Sequence, residues 1–253
     1  MRILVITRGH PFEREPFFAM FDAMSGVEWY HVEQPAALAV FEPDYARQFD
    51  VFVCYDMPGI AFTASGPVFD DPPQRFKDNL LALTRQGKGF VFLHHAIAGW
   101  PAWPEYADLI GGRFLYLPAT LRGAPCQDSG YRHQVTHELR PQCVHPVTEG
   151  IPASFTMTDE LYLFEVFADS VTPLLASNYD FVRDNFYSAA KVVLERKMYN
   201  NTDWPHAPGS NLVGWTRTHN ASRIVYLQGG DDPVAYANPH YRRLLENAIH
   251  FVA

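Results

Sequence analysis

A chain of 253 residues, 47% hydrophobic and 19% charged, can bury a substantial core, which excludes global disorder. Its 20 basic residues against 28 acidic ones give a formal charge of -8, the wrong sign for a protein that tracks nucleic-acid phosphates. No apolar run reaches the length of a membrane span, so neither a nucleic-acid nor a membrane partner is expected.

The opening segment Met1 to Arg8 is apolar only over Ile3 to Ile6 and returns to charge too soon for a signal peptide. Cys54, Cys126 and Cys143 are odd in number and form no Cys-x-x-Cys pair, so neither a zinc knuckle nor a redox motif is present. Reduced thiols in a cytoplasmic protein are the expectation.

Strands and helices alternate along the chain. Ile3 to Ile6 reads as a strand ending in the Gly9-His10-Pro11 turn, and Glu15 to Met24 as the first crossover helix. Trp29 to Val32 and Val51 to Tyr55 are the next strands. Pro58 to Pro73, rich in Gly, Pro and Asp, reads as a long loop. Phe76, Leu80 and Leu83 follow at helical spacing, with Gly87 placed to end the helix. Phe90 to Leu93 is a short apolar run suited to a strand buried on both faces. Pro104 to Ile110 is a short helix, and Leu115 to Gly150, broken by four prolines, is expected to be irregular. Strands return at Leu161 to Val166, Leu174-Leu175, Leu212 to Thr216 and Ile224 to Leu227. In the closing helix Asn238 is the cap, Pro239 takes the first position, and Tyr241, Leu244, Leu245, Ala248, Ile249 and Val252 form one stripe. A single doubly wound α/β domain over residues 1–253, its sheet mostly parallel and flavodoxin-like with helices on both faces, fits this order.

In such a sheet, ligands sit beyond the carboxyl ends of the strands. His94-His95 directly follows one strand end, and Gly229-Gly230-Asp231 follows another after Gln228. Asp159-Glu160 precedes an expected strand, and His145 lies in a proline-rich turn. His133 and His137 fall in the polar part of the irregular region, and Trp100, Trp103, Tyr131 and Trp204 could offer flat faces to a sugar ring.

Taken together, several of these segments resemble the ThuA-like, or trehalose-utilisation, family. They are Gly87-Lys88-Gly89-Phe90-Val91-Phe92-Leu93-His94, Gly111-Gly112-Arg113-Phe114, and His145-Pro146-Val147-Thr148-Glu149-Gly150-Ile151-Pro152. Asp159-Glu160-Leu161-Tyr162, Arg223-Ile224-Val225-Tyr226 and Asn247-Ala248-Ile249-His250-Phe251 complete the set. The resemblance implies a fold like that of the class I glutamine amidotransferases and a role in bacterial carbohydrate metabolism, on trehalose or a related keto-disaccharide. Two departures stand out. Gly230 replaces a histidine of the family's Gly-His-Asp or Gly-His-Glu, and His95 replaces a frequent serine.

The amidotransferase fold places a nucleophilic cysteine on a strand-to-helix elbow. Leu93 to Ala98 contains none, and no Gly-x-Ser-x-Gly occurs, so neither thiolate glutaminase nor serine chemistry is expected. The remaining expectation is acid/base work by His94 or His95 with Glu160 or Asp231, and with Asp159, Tyr162, His145, Trp100, Tyr131 and His133 around a small carbohydrate. A divalent ion held by His94, His95 and either Asp231 or His133 is an alternative, weakened because adjacent strand-end histidines point different ways. No nucleotide-binding motif is present and the cofactor stays undefined. A non-catalytic sugar-binding or partner subunit of an oxidoreductase is a further alternative, and a homo-oligomer is compatible with the chain.

Overall fold

The computed structural model describes residues 1–253. In chain order, the elements that position the site begin with β1 (Arg2–Arg8), α1 (Arg14–Asp22), β2 (Glu28–Glu33), β3 (Val51–Asp56), α2 (Gln74–Arg85), β4 (Gly89–Leu93) and α3 (Pro104–Ile110). There follow β5 (Gly130–Pro141), β6 (Phe155–Leu163), β7 (Thr172–Ser177), α4 (Ala189–Glu195), β8 (Leu212–His219), β9 (Ser222–Leu227), α5 (Pro233–Ala237) and α6 (Pro239–Val252). The sheet order is β6-β5-β7-β8-β9-β4-β3-β1-β2, with Tyr187–Ser188 added beside β5.

The half formed by β9, β4, β3, β1 and β2 is parallel throughout. Its strands alternate between two cores. Val5, Val53, Val91 and Val225 face the core that holds Phe17 of α1 and Leu245 of α6. Leu4, Phe52, Phe90 and Ile224 face the core that holds Leu80 of α2 and Leu109 of α3. Every residue of β3 and β4 is buried, as strands covered on both faces require. This is the doubly wound α/β fold expected from the sequence.

From β9 outward the pairing turns antiparallel, through β8, β7, β5 and β6. The region from Leu115 to Gly150 is thus more ordered than its prolines suggest. It contains the small hairpin Ala119–Leu121 with Ala124–Cys126, and the twelve-residue β5. In β5, Val135, His137 and Leu139 alternate inward, and a bulge between Arg132 and Val135 lets Gln134 adopt a φ of 54°. The segment Pro58 to Pro73 likewise holds a hairpin, Ile60–Thr63 with Gly66–Phe69. The β6 strand begins at Phe155, so Asp159 and Glu160 lie inside a strand and not before one.

The closing helix matches its expected signals. Asn238 accepts from the backbone N–H groups of His240 and Tyr241 at 3.0 and 3.2 Å, and the six-residue apolar stripe is buried. No helix is long and apolar enough to cross a membrane.

Candidate active site at the carboxyl edge of the sheet

In-register pairing of β4 with β3 on one side and β9 on the other aligns three carboxyl ends. The turn that leaves β4 is tight. His94 has a φ of 45°, a left-handed conformation that costs a non-glycine residue about 1–3 kcal/mol, and a 3-10 turn runs from His94 to Ala98. This elbow presents a histidine where an amidotransferase would present a cysteine.

The His94 ring is fully buried. Its Nδ1 lies 2.6 Å from the backbone carbonyl of Gln228, which can only accept, so Nδ1 carries a proton. Nε2 then faces Glu160 Oε2 at 3.1 Å, Asp231 Oδ1 at 3.3 Å and the Tyr162 hydroxyl at 2.8 Å. Burial alone would discharge this imidazole, but its bonds to Asp231 and Glu160 outweigh burial and hold its pKa well above 6.5. Burial likewise opposes the Asp231 anion, and the bond to His94 nevertheless brings that carboxyl down to about 2. Burial pushes the Tyr162 phenol well above 10, so it stays protonated.

Asp159 sets this geometry from behind. Its Oδ1 accepts from the N–H groups of Glu160 at 2.9 Å and Asp231 at 3.1 Å, and its Oδ2 from Gly230 at 2.6 Å. One buried carboxylate therefore ties β6 to the loop after β9 and brings both of its acidic neighbours to His94. Gln228 reinforces the joint, its side-chain oxygen accepting from Tyr162 N–H at 3.1 Å.

A cavity of about 240 Å³ opens beside this cluster, lined by Glu160, Tyr162, His133, Tyr131, Tyr116 and Phe114 among others. His133 Nδ1 lies 3.3 Å from Glu160 Oε1, so each Glu160 oxygen meets an imidazole. His95 and His10 close the cavity's other side, stacked at 4.6 Å. His95 Nε2 is 3.1 Å from the carbonyl of Tyr55 and must donate, which leaves its buried Nδ1 without a partner. Burial, followed by the neighbouring His10 and His94, keeps its pKa well below 6.5. The two adjacent histidines thus differ in charge as well as direction.

His94 Nε2 and carboxylate oxygens of Glu160 and Asp231 lie within 4.8 Å of one another, a spacing that a divalent cation can bridge. His95 is not in that set; its Nε2 is committed to Tyr55 and its ring stacks on His10 instead.

Several expected binding residues lie elsewhere. Trp100 does not line the cavity; its ring packs against Phe76 and the backbone of Gly59 in the core. His145 caps the 3-10 turn Pro146–Thr148, accepting from Val147 N–H at 3.1 Å, and its ring rests on Phe251. Asp159 does not line the cavity beside Glu160; its oxygens accept from the backbone of Glu160, Gly230 and Asp231, which makes it a positioning residue. Trp103 is core, the Trp204 indole donates to Asp128, and His137 pairs with Ser177 on the far part of β5. Conversely, the sequence reading passed over His10 although its turn lies at the end of β1, the same strand-end signal that singled out His94. Arg113 was also given no role. It is buried, donates to the carbonyls of Gly99, Trp100 and Trp103, and so fastens the chain that leaves the elbow.

Comparison with known proteins agrees with this architecture. The family model ThuA, described as trehalose utilisation, matches residues 2–252. A solved structure described as a ThuA-like protein from Parabacteroides merdae shares 16% identity, covers 99% of this chain and 89% of its own, and superposes with a TM-score of 0.66. One from Bacteroides uniformis shares 17% identity over 99% and 90%, with a TM-score of 0.65. A protein from Thermoplasma acidophilum described as a GMP synthase subunit shares 11% identity over 100% and 94%, at a TM-score of 0.50, and extends the likeness to the glutamine amidotransferase fold. None of the curated proteins compared matches the chain. The match over nearly the whole length places this chain in the ThuA family.

Proposed function

We propose that this protein performs acid/base chemistry on a small carbohydrate, trehalose or a related keto-disaccharide, in the cavity beside Glu160. The observation that carries the reading is a buried imidazole held between two carboxylates, one of which faces an aromatic-lined cavity. Such a group is a proton store whose state is set by its neighbours. Glu160 and the Tyr162 hydroxyl meet the substrate, and His94 supplies or reclaims the proton through them. Asp231 stabilises the imidazolium, and Tyr131, Tyr116 and Phe114 give apolar faces to a sugar ring. The volume, at the small end for ligand pockets, suits one ring inside with the remainder at the mouth. A cytoplasmic setting agrees with three unpaired cysteines.

Replacing His94 with Ala is expected to lower turnover of a keto-disaccharide panel by about 10²–10⁴-fold, the usual contribution of a positioned acid or base. Equal turnover by wild type and variant would refute the assignment. Saturable sugar binding by calorimetry without turnover would favour a binding subunit.

The spacing of His94, Glu160 and Asp231 also favours a metal-assisted version of the same chemistry. In that reading the purified protein carries a stoichiometric divalent ion by elemental analysis, and chelation abolishes turnover; unchanged turnover in chelator counts against it.

A further inference from the structure

His10 is the one imidazole of the site that reaches two spaces. On one side it lines the cavity with His95 and Glu160. On the other it lines a separate open depression formed with Arg8, Pro11, Arg14 and Glu33. We propose that His10 is the site's second proton-transfer residue, accepting a proton from the bound sugar and releasing one to water in the outer depression. This rests on the acid/base reading of the cavity given above.

The local backbone explains why the ring sits there. Arg8 and Gly9 have φ values of 104° and 99°, and a Cβ on Gly9 would run into the Met57 carbonyl. Only glycine allows the chain to turn this closely over the end of β3, and the turn delivers the His10 ring onto His95. His10 Nδ1 lies 3.0 Å from the carbonyl of Pro11, so Nδ1 holds the proton and Nε2 keeps its lone pair, with no protein partner. The ring is pinned as a neutral base.

Its charged surroundings favour a role opposite to that of His94. Burial and then the charge of His94, whose ring centroid is 6.3 Å away, lower the pKa of His10, while Asp231, Glu160 and the Pro11 carbonyl act the other way. His95 beneath it is neutral, and Arg14 and Glu33 of the depression pair with each other at 2.6 Å. An imidazole with a free Nε2 on one side of the cavity, and on the other an imidazole that holds a proton on Nδ1 and faces two carboxylates, give an acceptor and a donor side to one bound molecule.

With a keto-sugar the step balances as an enolisation. The C–H bond beside the carbonyl breaks as an N–H bond forms at His10 Nε2. The C–H electron pair becomes the new C=C bond, and the carbonyl oxygen takes a proton from the Glu160–His94 side. Water in the depression then takes the other ring proton, from Nδ1 on the Pro11 side, and the ring is left neutral with its proton on Nε2.

The test is exchange of the C–H hydrogens beside the ketone of a keto-disaccharide in D2O, followed by proton NMR. Wild type, His10→Ala and His94→Gln are compared, with circular dichroism as the folding control. His10→Ala is expected to exchange about 10²–10⁴-fold more slowly than wild type. Added imidazole should restore part of that rate, because the vacated position opens to solvent through the depression. It should not rescue His94→Gln, whose position is sealed. Wild-type exchange in His10→Ala, or a loss that imidazole leaves unchanged in a folded variant, overturns the proposal. No exchange or turnover by wild type itself overturns the acid/base reading, and this proposal with it.

Discussion

Gly230 stands where the family resemblance places a histidine, and its surroundings show why this chain has none. Its φ is 108°, and a Cβ there would strike the hydroxyl of Tyr241, which donates to Gly229 O at 2.9 Å. Tyr241 belongs to the apolar stripe of α6, so the phenol cannot withdraw without opening the core. The space beside Gly230 is taken by Tyr241, and the imidazole that meets this loop is His94, which touches Gln228 and Asp231 on either side of it. Gly230→His is therefore expected to lower stability by more than about 1 kcal/mol, the scale of a side chain forced onto a positive φ, with no gain in turnover. Urea unfolding and the keto-disaccharide assay check both parts. A variant as stable as wild type would show that Tyr241 yields freely.

Among the elements, the segment that leaves β4 depends on Arg113. A planar guanidinium spans the carbonyls of Gly99, Trp100 and Trp103, and a lysine ammonium is a point donor that cannot meet all three. Arg113→Lys should cost about 1–3 kcal/mol in urea unfolding, the penalty for buried carbonyls left unpaired, and should slow turnover through movement of the elbow. A cost under half a kcal/mol would deny the fastening role. Arg113 also marks the limit of what the sequence could disclose. Four of the five parallel strands were legible because four or more apolar residues in a row, ending in a polar residue, have few other solutions, while β2, with His31 inside it, was the weaker one. The elbow and Asp231 were legible because ligands gather at such strand ends. In the antiparallel half the strands at Leu161, Leu174 and Leu212 were legible, but β5 was hidden because it alternates Val135, His137 and Leu139, and a buried histidine and a bulge break the apolar period on which strand reading depends. Trp100 was misread because an aromatic ring near a strand end suits a core as well as a sugar. His145, in turn, looks like a ligand residue until its bond to Val147 shows it to be a cap.

At the scale of the whole molecule, the two halves of the sheet share one apolar core, which runs from Ile3 and Val91 in the parallel half to Val135, Leu161 and Val213 in the antiparallel half. Their polar joint is the buried cluster of His94, Asp159, Glu160 and Asp231, so ionisation of the site bears on folding. His94 has a folded pKa raised above its ordinary 6.5. The stability it contributes is complete below pH 6.5 and is lost as pH rises through the raised value. Asp231 has a folded pKa lowered from 3.8 to about 2, so its contribution is present above 3.8 and is lost as pH falls toward 2. These are two views of one ion pair and are not added. Other buried groups titrate too, among them Asp56, raised by burial to about 7, and His137, lowered by burial to about 4. Those two are common to wild type and His94→Gln, whereas Asp159, raised by burial to about 7 and held down in part by the charge of His94, is not, so the difference between the two proteins reports His94 together with the carboxyl groups it faces. Thermal midpoints measured from pH 5 to pH 10 should give a difference that is largest below pH 6.5 and shrinks steadily in alkali, as wild type loses its imidazolium and the variant has none to lose. A difference that stays constant over that range would mean that folding leaves the His94 pKa unchanged, and one that grows from pH 5 to pH 6.5 would mean that His94 is neutral in the folded protein; in either case the proton store on which the proposed chemistry rests would be absent.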